Sequence, residues 1–275
     1  MALASVIHTE IQLGLPLLPE AGSNVLFDLL RLWLQDCDNA HPECKPKLPE
    51  KNEETATTSL PTRLIDVGTE GNIKPRLVET LKEKTHGTAY VALSHPWGDT
   101  DAYPPFSTVR TDNGTHRDIN TFKNALPYDE LPATFKDAVN CTRALGIRYL
   151  WIDSICIIQG KDGDFGQEAK NMETVFSGAY CVLAASRAMH QYDGFLKHRR
   201  QRKFITIQRQ EEEPFYICES IDDFSRDVIE GSLNKRGWVL QERALARRTI
   251  YFTETQTYFE CGKGIRCETL ACMQK

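Results

Sequence analysis

Three groups of side chains in this sequence combine residue types and spacings suited to chemistry. The first is Ser94, His95, Trp97 and Asp99 in the run SHPWGD, with Asp153, Ser154 and Cys156 in the run DSIC. Hydroxyl, imidazole, indole, carboxylate and thiol groups set this closely supply the donors, acceptors and flat apolar faces that line a small-molecule pocket. The same residues also admit a structural role, with Ser94 and Asp153 capping neighbouring helices and Trp97 and Trp151 filling core. His95 precedes Pro96, which holds its backbone extended. The second group is Trp238 and Glu242, four residues apart and so on one helical face with Gln241 and Leu245. A carboxylate there either sits at the surface, paired with Arg236 or Arg243, or stabilises positive charge in a site. The third is Cys37, His41 and Cys44, a C-x3-H-x2-C pattern of soft ligands that suits zinc, with Cys261 or Cys267 available as a fourth. Locally the pattern is one ligand short, and Pro42 breaks the helix that would turn all three to one side. No metal is therefore expected.

The elements that must position these groups follow from periodicity. Residues 23–36 place Val25, Leu26, Leu29, Leu30, Trp33 and Leu34 at helical spacing behind Ser23 or Asn24 as N-cap. Residues 45–60 are polar and proline-containing and read as a linker. TAYVALS (88–94) is a short apolar run between Gly87 and Pro96, a buried strand. From Thr134, Phe135, Ala138, Val139, Thr142 and Leu145 share a helical face, with Thr134 as N-cap, Asp137 at the capping-box position and Gly146 as terminator. RYLWID (148–153) is a second strand. Asp164 and Gln167 then cap a helix that turns Met172, Val175, Phe176 and Ala179 inward, leading to a third strand, CVLAAS (181–186). Strand, helix, strand, helix, strand at these lengths predicts right-handed crossovers and a doubly wound parallel α/β sheet, the first strand central. Residues 203–220 read as an antiparallel β insertion, 236–246 as a helix, and RTIYFT with QTYFEC as a hairpin. In such a sheet, ligands bind beyond the carboxyl ends of the strands, where the segments 94–99 and 153–160 form the expected crevice with Glu242 beside it.

Bulk properties narrow the classes. The 275 residues are 41% hydrophobic and 26% charged, an ordinary globular balance. A net charge of -5 gives no footing to a nucleic-acid partner, which needs clustered Lys and Arg. No apolar run reaches the roughly 18 residues that span a bilayer. Nine cysteines, an odd number, without a secretory signal in MALASVIHTEIQ, predict free thiols in the cytoplasm.

Three blocks stand out together: YVALSHPWGD (90–99), the long run LPATFKDAVN through CVLAAS (131–186), and RGWVLQERALARRTIYF (236–252). In order and spacing they resemble the fungal heterokaryon-incompatibility (HET) domain over 88–252, and WLQDCDNAHPEC (33–44) is similar to the leader that often precedes it. With the helix and linker over 1–60, the resemblance implies a HET domain over 61–275, and the stop at ACMQK just beyond the hairpin predicts the front part of a longer protein. It implies fungal self/non-self recognition that triggers programmed cell death, with self-association or a sensor protein as partner. It also implies remote kinship to TIR domains, and thus a TIR/flavodoxin-like sheet with an N-terminal helical leader. Many TIR domains carry a tryptophan followed four residues later by a glutamate, the catalytic residue of those that cleave NAD. Trp238 and Glu242 hold that spacing. The implied roles are Glu242 as catalytic residue and Ser94, His95, Trp97, Asp99, Asp153, Cys156 and Trp238 as contacts for NAD, a substrate and not a bound cofactor. The alternative is a non-enzymatic, self-associating adaptor. Cleaving the bond between nicotinamide and ribose expels a neutral group from a cation, so one carboxylate suffices where usual glycoside hydrolysis needs two.

Overall fold

The computed structural model describes residues 16–45, 60–68, 74–83, 88–110, 117–208, 214–235 and 239–270. Helix α1 (Asn24–Ala40) starts at Ser23, whose side chain accepts from the Leu26 backbone N–H at 3.3 Å. Its buried face runs through Leu26, Phe27, Leu30, Trp33, Leu34 and Cys37. Val25, expected inside, is 64% exposed, because Phe27 takes the inward position and turns the stripe away from it. The helix belongs to the main core, with the Trp33 ring 6.2 Å from that of Phe259.

Strands β1 (Arg63–Asp66), β2 (Arg76–Glu79), β3 (Tyr90–Ser94), β5 (Tyr149–Trp151), β7 (Cys181–Ala184), β10 (Arg248–Phe252), β11 (Thr257–Cys261) and β12 (Gly264–Cys267) form one sheet, in the order β12-β11-β10-β7-β3-β5-β1-β2. The four middle strands, β10, β7, β3 and β5, are parallel. Antiparallel pairs flank them on both sides. β3 is buried along its whole length, as a strand covered on both faces must be. The pair β1–β2 went unanticipated: RLID and RLVE are too short and too charged to announce themselves, and they gain strand character by adding to the sheet edge, β1 on β5 and β2 on β1. A cross-strand ion pair supports them, Asp66 with Arg76 at 3.9 Å. The strands β4 (Thr108–Val109) and β6 (Ile158–Gln159) pair in parallel beside this sheet. The insertion forms its own antiparallel hairpin, β8 (Phe204–Ile207) and β9 (Phe215–Cys218).

Crossovers carry the remaining helices: α2 (Ile119–Asn124) and α3 (Ala133–Ala144) between β3 and β5, then α4 (Asp153–Cys156), α5 (Phe165–Glu168) and α6 (Met172–Gly178) before β7, and α7 (Val239–Leu245) before β10. Helix α3 buries the expected Phe135, Ala138, Val139 and Thr142, and Gly146 at φ +74° ends it. Its first turn differs from expectation. Pro132 is the N-cap, so Thr134 and Asp137 fall inside the helix. Their side chains serve the 190–196 loop instead: Thr134 Oγ1 accepts from Gly194 N at 3.0 Å, and Asp137 accepts from the backbone N–H groups of Phe195 and Leu196 at 2.7 and 3.0 Å. Asp164 does stand at the N-cap of α5, its carbonyl accepting from Gln167 N and Glu168 N at 3.0 Å, but its side chain makes no capping bond: it accepts from Ile158 N at 2.9 Å and pairs with Arg63, closing the 158–164 loop. The chain alternates sides along β3, so Ser94 shares a face with Ala92 while His95 turns to the other. Through their register that face also carries Trp151, Val182, Ala184, Thr249 and Tyr251.

Candidate functional site

Strand β3 feeds β5 on one side, and the chain then crosses back to β7 on the other. The carboxyl ends of β3 and β7 therefore flank the point where strand order reverses, the usual crevice of an open α/β sheet. Ser94 lies at that point, opposite Ala184. Its hydroxyl donates to the Glu242 carboxylate, which arrives from α7. Glu242 is buried, with Ala184, Leu233 and Tyr251 on its sheet side. On its other side opens a cavity of about 160 Å³, lined by Trp97, Asp153, Ile157, Gln159, Phe165, Met172 and the glutamate itself.

The opposite wall is assembled from the two loops. Trp97 Nε1 donates to Asp153 Oδ2 at 2.8 Å, and the other carboxylate oxygen of Asp153 accepts from Ser154 N at 2.7 Å. Asp153 thus ties a short helical turn to the indole that lines the cavity. His95 stands behind it, buried, with Nδ1 3.7 Å from Asp153 Oδ1 and its ring edge-on to Phe135 at 5.1 Å. The loop turns at Gly98, whose φ of +79° suits glycine and where a Cβ would come within 2.4 Å of His190 Cβ.

Ser94, Trp97, Asp153 and Glu242 therefore converge, and His95 supports one of them from outside the cavity. Two other expected contacts lie elsewhere. Asp99 is exposed and accepts from the backbone N–H groups of Asp101 and Ala102 at 3.0 and 3.3 Å, which stabilises its own turn. Cys156 points into the core. Trp238 lies outside the described residues. Ile157 and Gln159 fall in the 153–160 segment expected to border the crevice, whereas Phe165 and Met172 were missed as lining residues; the half-exposed ring of Phe165 shows its role only in three dimensions.

Burial pushes the Cys156 thiol up to about 12, so it remains a protonated thiol at neutral pH and is no nucleophile. The expected result is that iodoacetamide at pH 8 leaves Cys156 unmodified in the native protein and labels it on unfolding, while half-buried Cys218 reacts first among the described cysteines. Peptide mass spectrometry at timed intervals checks this.

The arrangement defines an α/β protein with a small, partly apolar hollow at its topological switch point and a buried carboxylate on the rim. The family model for the heterokaryon incompatibility protein (HET) matches residues 90–242, more than half of the chain, and the chain belongs to that family. No curated protein and no solved structure matches it. Among the described residues, no helix is long and apolar enough to cross a membrane.

Proposed function

We propose that this HET module acts in fungal self/non-self recognition and triggers cell death by cleaving NAD to nicotinamide and ADP-ribose, with Glu242 as the catalytic residue. One observation carries the reading: a buried carboxylate, held by Ser94, faces a hollow walled by an indole, a phenyl ring and a thioether beyond the parallel strands. At about 160 Å³ the hollow is below the roughly 300 Å³ of typical ligand pockets. It suits the nicotinamide ring and part of its ribose, with the rest of the dinucleotide outside the mouth. In the reaction the C1′–N bond breaks and its electron pair leaves with nicotinamide. Water then adds to C1′ and a proton is released. Glu242 stabilises the positive charge that develops on the sugar, and Ser94 fixes the direction of the carboxylate. Because the site excludes water on its sheet side, that charge interaction exceeds what it would be in bulk solvent.

A second reading is favoured by the hairpin β8–β9. It leaves Ile205, Phe215 and Ile217 at least half exposed, and exposed apolar area of this kind suits a self-associating adaptor. Incubating concentrated, purified protein with NAD distinguishes the two. Free nicotinamide should accumulate, and faster per molecule as protein concentration rises if clustering activates it. Absence of nicotinamide across the whole concentration range would sink the enzymatic reading in favour of the adaptor.

A further inference from the structure

Away from the carboxyl ends of the parallel strands, three potential ligands close in sequence meet a fourth more than 200 positions further on. Cys37 lies in the last turn of α1, and His41 caps that helix with its N–H on the Cys37 carbonyl at 3.0 Å. The turn Pro42–Cys44 then brings Cys44 back beside them, its N–H on the His41 carbonyl at 3.0 Å. Cys261 enters from the end of β11. One ligand atom from each residue lies within 4.8 Å of the others, and Cys261 Sγ is 3.6 Å from His41 Nδ1. We infer that Cys37, His41, Cys44 and Cys261 form a structural zinc site that pins the N-terminal helix to the hairpin edge of the sheet.

The donor set is the Cys3His of closed zinc sites, and tetrahedral geometry at ordinary Zn–S and Zn–N lengths sets sulfur and nitrogen about 3.6 Å apart. That matches the separation between Cys261 and His41, and the remaining spread closes with side-chain movements of about 1 Å. Both reasons for expecting no metal fail in the fold: Cys261 supplies the missing ligand, and the break at Pro42 is what folds Cys44 back. Apolar packing accounts for buried cysteines but not for a half-buried imidazole among three of them. Zinc with three thiolates and a neutral imidazole carries one net negative charge. The fully buried guanidinium of Arg248 is the neighbouring positive group and, being already paired with Asp38 at 2.7 Å, offsets it in part. Gly262 leaves the room required, since a Cβ there would lie 3.3 Å from Cys44 Sγ. An open cleft of about 440 Å³, lined by Glu43, Cys44, Arg247 and Cys261 among others, gives the ion a way in. Cys267, equally buried, is excluded as the fourth ligand: its sulfur sits 3.1 Å from Thr269 Oγ1 and 3.6 Å from Asp222.

The test is elemental analysis of the whole chain, purified without a histidine tag from zinc-supplemented cells. Stoichiometric zinc is expected, released when a mercurial blocks the thiols, with a lower thermal midpoint after chelation. Cys37→Ser and Cys261→Ser should each lower zinc content more than about tenfold, whereas Cys267→Ser should keep it. If the serine variants fail to fold, cobalt replaces zinc in the unaltered protein, where tetrahedral visible bands with thiolate-to-cobalt charge transfer are expected. Protein that stays metal-free after zinc titration, a disulfide among these three cysteines, or equal zinc loss in Cys267→Ser overturns the site.

Discussion

Glu242→Gln should lower NAD cleavage by at least about 10²-fold, the scale of removing one preorganised electrostatic group from a reacting centre, and abolish cell killing with it. The amide keeps the shape of the side chain, and its carbonyl oxygen still accepts the hydrogen bond from Ser94. What disappears is the negative charge facing the hollow. Stability should change by less than about 1 kcal/mol, because no cavity forms and the Ser94 hydroxyl keeps its acceptor. The outcome to measure is nicotinamide release together with toxicity and thermal midpoint. A variant that kills as well as the parent shows that catalysis by Glu242 is not the effector mechanism, and the adaptor reading then stands. A variant that loses toxicity only because it unfolds is identified by its melting curve. Ser94→Ala offers a graded comparison, since it leaves the charge and removes only the group that aims it.

The largest loss of stability is expected from Glu268→Ala. Glu268 is fully buried, and both carboxylate oxygens pair with the Arg199 guanidinium at 2.9 Å. One of them also accepts from Thr257 N at 2.9 Å, while Arg199 donates to the Pro19 carbonyl at 3.0 Å. The pair ties the segments around 19 and 199 to strands β11 and β12. Truncating the glutamate strands a buried cation and an amide donor, which costs about 3–5 kcal/mol. For a chain of this size that lowers the thermal midpoint on the order of 10 °C. Replacing both residues, Arg199→Met with Glu268→Leu, should recover most of the loss, because no unpaired charge is then left buried. A double variant as unstable as the single one would show that shape at this position, and not charge compensation, sets the stability.

Much of the parallel core was legible in the linear sequence. YVALS, YLWID and CVLAAS are short apolar runs bounded by turn residues, and the helices between them carry their own periodicity. From these alone follow a central β3, parallel neighbours on both sides, and a crevice at the ends where the SHPWGD and DSIC runs fall. The motif spacing also led to Glu242 and to the family. Local chemistry misled where a residue's partner is distant in sequence. Thr134 and Asp137 look like a capping box, yet their oxygens bind the 190–196 loop, and Asp164 takes the N-cap position while its carboxylate closes the 158–164 loop instead of capping. β1 and β2 are strands only because a sheet edge was available to them. Cys156 and Asp99 are placed by side-chain direction, one into the core and one into its own turn, which residue type does not encode. The fourth ligand beside Cys37, His41 and Cys44 is decided in the same way. Nothing near those residues specifies Cys261; α1 packing against β11 brings it there, and the choice over Cys267 rests on which sulfur that packing turns toward the helix. Apolar periodicity and turn residues act over a few positions and so can be read in order along the chain. Which polar groups meet depends on how buried faces stack, and that is settled only when the layers close.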